Sequence, residues 1–219
     1  MEPWFASATA VPVLKAEICF LLRSDFYFGP DRPLDPADLQ RLVVPLSLPN
    51  IPRVVESMVR TSEAVGHEAE LVSYFEQIVR RAREYRRPFN SIRHHFWLRF
   101  GLWSEEQEIY ISFPWYDSFS EIDRFIESVS KVSFGLVDHD REQGWEMEVH
   151  SLNETLFLRE GDPDAGETHL VVSTPRGQFV SELAELRERA AGLITHLSKA
   201  LGADVWTAYV REEPRFTRG

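Results

Sequence analysis

The sequence predicts an α+β fold: an antiparallel β-sheet with helices packed mainly on one face. Three observations carry this. Short segments alternate apolar and polar residues with the period of two that a half-buried strand needs, most clearly Trp145, Met147 and Val149 against Glu146, Glu148 and His150. Two longer segments, 121–131 and 176–201, repeat apolar residues at helical spacing. Strands also come as hairpins followed by a helix, rather than in strict βαβ alternation.

In chain order, residues 4–22 are apolar and poor in turn residues, and read as one or two strands with Pro12 forcing a break or an edge position. Gly29-Pro30-Asp31-Arg32-Pro33 is a turn cluster. Asp35 stands as N-cap to a short helix with Pro36 at its first position. A loop spans 45–52, with Asn50 able to cap the next helix. Val54, Val55, Met58 and Val59, then Leu71, Phe75, Ile78 and Val79, predict a helical pair over 51–87, split at Gly66 and closed by Pro88. Ile92, His94, Phe96, Leu98 and Phe100 predict a strand, and 108–113 its hairpin partner across a turn at Trp103-Ser104-Glu105-Glu106.

Ser118 and Ser120 precede the helix 121–131, whose apolar face is Ile122, Phe125, Ile126 and Val129. A linker, with Arg141-Glu142-Gln143-Gly144 as a solvated turn, leads to the strand at 145–150. Asn153-Glu154 is a turn, and 156–159 and 169–173 are further strands. The long helix 176–201 ends at Gly202, a favourable C-cap. A last strand covers 204–211, and the tail 212–219 is expected to fray. Hairpin-then-helix thus occurs twice. Short connections and the lack of a Gly/Ser-rich linker point to a single domain over 1–219, with sub-units 1–131 and 132–219.

Composition narrows the function classes. The lone Cys19 lies in an apolar run, reads as a buried small hydrophobe, and gives no sign of an oxidising compartment. The start Met1-Glu2-Pro3-Trp4 lacks a secretory pattern and no segment reaches a membrane span, so the expected location is the cytoplasm. A net charge of −11 argues against a general nucleic-acid binder, which needs a positive field for phosphates. No glycine-rich phosphate loop, paired-cysteine motif, His-Glu-x-x-His run or Gly-x-Ser-x-Gly elbow occurs. The reading is therefore of a protein without catalytic residues, metal or cofactor.

Three constellations compete with that reading. His94-His95 on a strand would point to opposite faces, one inward and one outward, and would not share a metal. Asp138-His139-Asp140 offers an alternative, a metal-assisted or acid/base enzyme, because flanking carboxylates can orient an imidazole. Arg80, Arg81, Arg83, Arg86 and Arg87 crowd a helix C-terminus, where positive charge complements the dipole; that reading ranks above phosphate binding. A small-molecule-binding or assembly protein is a further alternative, for which an enclosed apolar cavity would be the sign.

The acidic excess is concentrated. Residues 104–167 hold 17 Asp and Glu against four Lys and Arg, with Trp115, Tyr116 and Trp145 interleaved. Acids that steer an encounter, beside rings that bury area, suit a protein interface; a solvated acidic face over a ring-filled core suits the residues equally well.

The stretch Gly135-Leu136-Val137-Asp138, then Gln143-Gly144-Trp145-Glu146, then Leu156-Phe157-Leu158-Arg159-Glu160-Gly161-Asp162 resembles bacterial toxin-immunity proteins, in particular the immunity protein 52 family. The resemblance implies a small α+β inhibitor from a polymorphic-toxin or type VI secretion system. It would bind a cognate toxin, a nuclease with a basic groove, in the cytoplasm of the producing cell. The expected partner-binding residues are Trp115, Tyr116, Asp117, Asp138, Asp140, Glu142, Glu146, Glu148, Asp162 and Asp164. No direct nucleic-acid or membrane contact is expected.

Overall fold

Tight turns set the register of the largest sheet. Asn153 and Glu154 both take left-handed backbone angles, φ 49° and 62°. They join Leu152 to Thr155 as the two-residue type I′ turn whose twist suits a hairpin. Gln143-Gly144 joins Glu142 to Trp145 in another two-residue turn, with Gly144 alone at positive φ, 70°. The structure is a computed structural model that describes residues 3–30, 32, 35–53 and 55–217. Asp31 and Pro33 of the expected turn cluster, Val54 of the expected helix, and the two residues at each end of the chain lie outside them.

The chain runs β1 (Thr9–Ala10), β2 (Lys15–Leu21), β3 (Asp25–Tyr27), α1 (Pro36–Arg41), β4 (Val43–Pro45), β5 (Met58–Arg60), α2 (Thr61–Ala64), α3 (Glu68–Glu84) and α4 (Phe89–Ile92). It continues through β6 (Leu98–Ser104), β7 (Ile109–Phe113), α5 (Phe119–Lys131), β8 (Gly135–Glu142), β9 (Trp145–Leu152), β10 (Thr155–Asp162), β11 (Glu167–Pro175) and α6 (Arg176–Leu201). The fold is α+β. One sheet has the order β1-β11-β10-β9-β8, antiparallel except for β1 against β11; the others are β5-β2-β6-β7 and β3-β4.

The chain forms two compact units built from interleaved stretches rather than from 1–131 and 132–219. The first comprises Met1–Glu17, Phe100–Trp115 and Ser120–Glu188. Its five-stranded sheet buries Trp145, Met147, Val149, Leu156, Leu158 and Val172 on one face. The Phe113 ring lies 5.6 Å from that of Trp145 and 5.1 Å from that of Phe125 on α5, so helix and strands share one core. Ile122, Phe125, Ile126 and Val129 are all buried, as their spacing predicts. Arg176 donates to the carbonyls of Val129 and Ser130, tying the start of α6 to the end of α5.

The second unit comprises Ile18–Arg99, Tyr116–Phe119 and Arg189–Gly219. Its centre is aromatic: the Trp206 ring meets Phe75 at 5.0 Å, Phe96 at 5.6 Å and Phe20 at 6.3 Å. Edge-to-face rings bury large area and fix one another's orientation.

Several expected elements take another form. The first half of the expected helical pair is β5 and the single turn α2. Val59 and Met58 pair with Phe20 and Leu21, so strand partners outweigh a spacing that also suits a helix. The Asn50 N–H donates to Glu70 on α3 instead of Asn50 capping a helix. Residues 89–95 form α4 and a 3-10 turn rather than a strand, and β6 begins only at Leu98. The hairpin turn shifts to 105–108, with Trp103 and Ser104 in β6. The expected linker and solvated turn before Trp145 are β8 and a two-residue loop. No strand forms at 204–211; Asp204 instead caps the N–H groups of Trp206 and Thr207. The tail through Thr217 is docked rather than frayed. Its Glu213 carboxylate accepts the Phe89 N–H, and the Thr217 N–H donates to the Leu201 carbonyl. Gly202 takes φ +80° after α6, as a C-cap requires.

Candidate functional site

The charged face of the five-stranded sheet follows from strand alternation. Glu146 and Glu148 on β9 stand opposite the buried Trp145, Met147 and Val149. Register places Arg159 of β10 and His139 of β8 on either side of Glu148. Glu148 contacts His150 at 2.7 Å and pairs with Arg159. Glu146 contacts His139 at 3.0 Å and Arg159 at 3.5 Å. Arg159 also lies 5.6 Å over the Trp4 ring, which with Phe5 and Phe157 forms an aromatic cluster beside His150. Glu146 and Glu148, both expected to bind a partner, are therefore held in an internal network of ions and rings.

Two more serve turns. Asp162 accepts the N–H groups of Asp164 and Ala165, closing the β10–β11 loop, and Asp164 accepts the Gly144 N–H. Tyr116 is buried, at 7% exposure, whereas Trp115 is 48% exposed. Asp117 faces Arg99 at 3.7 Å. The fold thus places Asp138, Asp140 and Glu142 together on one strand, β8.

β8 ends the strand order of its sheet, so one row of its backbone groups has no ladder partner there among the described residues. Asp138 and Asp140 are half-buried and pair in register with the inward residues Val149 and Met147; Glu142 is exposed. Burial, with Asp140 as a second contribution, raises the Asp138 carboxyl above its usual range, against the pull of Arg124 and His139. Its Oδ2 is buried without a hydrogen-bond partner among the described residues. At the start of the strand Phe134 and Leu136 are exposed, at 74% and 53%. With Phe5, His150 and Leu152 they border a shallow concavity of about 460 Å³.

The competing constellations resolve geometrically. His139 lies on the face of β8 opposite Asp138 and Asp140, so the two carboxylates do not flank its ring. His94 and His95 lie in the 3-10 turn rather than on a strand, with ring centroids 4.3 Å apart. The His95 ring is buried and stacked on Phe26, and burial, with smaller contributions from His94 and Arg23, holds it down at about 3. Among the described residues no three His, Cys, Asp or Glu side chains converge as a metal site. Among the described residues no helix is long and apolar enough to cross a membrane.

Two features were missed in the sequence. Phe134 and Leu136 read there as linker; Gly135 at φ +87° turns the chain so that both remain outside. The arginine run ends in a concavity of about 390 Å³ completed by Arg215 and Phe216 of the tail, far away in sequence. Arg86 takes φ 52° just beyond α3, where glycine is usual. Comparison with protein-family models, curated proteins and solved structures finds no match to this chain.

Proposed function

We propose that this chain is an immunity protein that binds and neutralises a cognate bacterial toxin, a nuclease effector with a basic surface, in the cytoplasm of the producing cell. We propose β8 and the preceding Phe134 as the surface that meets it. The observation supporting this is the conjunction, along one edge strand and the Phe134 just before it, of unladdered backbone, exposed Phe134 and Leu136, and the carboxylates Asp138, Asp140 and Glu142, none ion-paired among the described residues. An extended partner segment can add to such an edge by main-chain hydrogen bonds, with the apolar side chains supplying buried area. The carboxylates would steer a basic partner and reject an acidic one. Asp138, kept half-buried against its preference for water, gives the strand a charge that a purely structural edge does not need. The resemblance over 135–146 and 156–162 supplies the toxin as the class of partner.

The test is expression of the reading frame beside this gene, alone and together with the full chain. The expected result is killing by the neighbour alone, rescue by this chain, and co-purification of the two. Leu136→Asp and the double change Asp140→Lys with Glu142→Lys should abolish both rescue and co-purification. Rescue that survives these changes removes β8 as the surface. A harmless neighbour that does not co-purify overturns the immunity reading.

A further inference from the structure

The second unit holds a concavity of the opposite sign to the chain as a whole. Its apolar floor includes Val79, Ile92 and Phe216, and Arg83, Arg86, Arg87 and Arg215 surround it. Three parts of the chain build it: the end of α3, α4 and the docked tail. Among the described residues that line it the only carboxylate is Glu213, and both Glu213 oxygens accept the Phe89 N–H, at 3.0 and 2.9 Å. That carboxylate is thus turned to the backbone, and no ion pair joins it to Arg86, Arg87 or Arg215 among the described residues.

The four guanidiniums differ in what they already do. Arg83 donates to the Phe216 carbonyl at 2.6 Å and holds the tail in place. Arg87 donates from Nε to Ser91 at 3.2 Å, leaving its terminal nitrogens over. Arg86 and Arg215 make no ion pair among the described residues. Arg86 moreover occupies a left-handed position, φ 52°, held by the hydrogen bond from the Arg87 N–H to the Ala82 carbonyl. Glycine would take that backbone without strain, so the side chain is present at a conformational cost.

We propose that this concavity binds a small organic phosphate. The ring-bearing part would lie on the apolar floor and the phosphate on Arg86, Arg87 and Arg215. Guanidinium forks match phosphate oxygens in pairs, and a volume of this size suits a small ligand. A chain of net charge −11 repels a long polyanion, which favours the small molecule over a nucleic acid. The concavity lies wholly in the second unit and depends neither on β8 nor on a toxin partner.

The test is calorimetric titration of the full chain at low salt with ADP, with adenosine and with a single-stranded oligonucleotide. ADP should bind, and adenosine should bind at least about tenfold more weakly, as the loss of charge-assisted hydrogen bonds requires. Arg86→Gly should fold at least as well as the natural chain, because it relieves the left-handed strain, yet lose about tenfold in ADP affinity; Arg215→Gln should lose a similar factor. No heat with millimolar ADP, or unchanged affinity in both variants, overturns the proposal. An oligonucleotide that binds more tightly than ADP overturns the small-molecule assignment.

Discussion

On the outer face of β9 and β10, Glu146 and Glu148 each meet a histidine and Arg159; beyond the end of α3, Arg86 and Arg215 meet no carboxylate among the described residues. Glu146 and Glu148, which come from the more heavily charged segment, are paired within the molecule. At the basic helix end Arg81 is paired with Glu84, while Arg86 makes no ion pair among the described residues. Local charge density in a sequence therefore does not measure the charge offered to a partner. What matters is whether alternation and register bring counter-ions to the same face, as in the sheet, or whether the chain turns away before any arrive, as after α3.

Three substitutions press on this contrast. The largest effect belongs to the aromatic centre of the second unit, where Phe96 also meets Phe216 of the tail. Trp206→Ala removes a fully buried ring in contact with Phe20, Phe75 and Phe96 and should cost about 3–5 kcal/mol, read as a lower urea midpoint. A loss below about 1 kcal/mol would mean that the ring cluster does not set the stability of this unit.

Next is His95. Its folded value of about 3 lies below the ordinary 6.5, so on acidification the unfolded chain takes up the proton first. The stability tied to the neutral ring is complete above about 6.5 and is lost as pH falls from there towards about 3. At pH 5 the loss should be roughly 2 kcal/mol, and His95→Phe should flatten that part of the stability-against-pH curve. An unchanged slope in the variant would show that acid sensitivity arises elsewhere, with the carboxylates of the sheet the next place to look.

The smallest effect tests the paired side directly. Arg159→Gln should destabilise by about 1 kcal/mol, because Arg159 serves both glutamates at a half-buried site. The same substitution should make binding of a basic protein stronger if Glu146 and Glu148 can reach it once released. No change in either measurement would place these carboxylates among those that neither stabilise nor bind.

Much of the architecture is legible in the sequence, and the reasons are local. The type I′ pair Asn153-Glu154, the amphipathic face of α5, and α6 with its glycine cap each rest on residues within a few positions of one another. The errors fall where two readings suit the same residues. Met58 and Val59 suit a helix or a strand, and only pairing with Leu21 and Phe20 decides for the strand. The run at 92–100 alternates convincingly, yet Ile92 ends α4 and His95 stacks on Phe26, a ring far away along the chain.

The candidate sites divide in the same way. Residue types alone set the composition of the surface: a strongly acidic middle segment, a basic run ending before Pro88, and the side chains available to each. Which of those charges are free was settled by packing. Glu146 and Glu148 are answered by a residue eleven to thirteen positions away, through strand register. Arg215 joins Arg83, Arg86 and Arg87 because the tail docks through Glu213 and Thr217. A charge is fixed by residue type, but its availability depends on what stands within a few ångströms of it, and long-range packing chooses those neighbours.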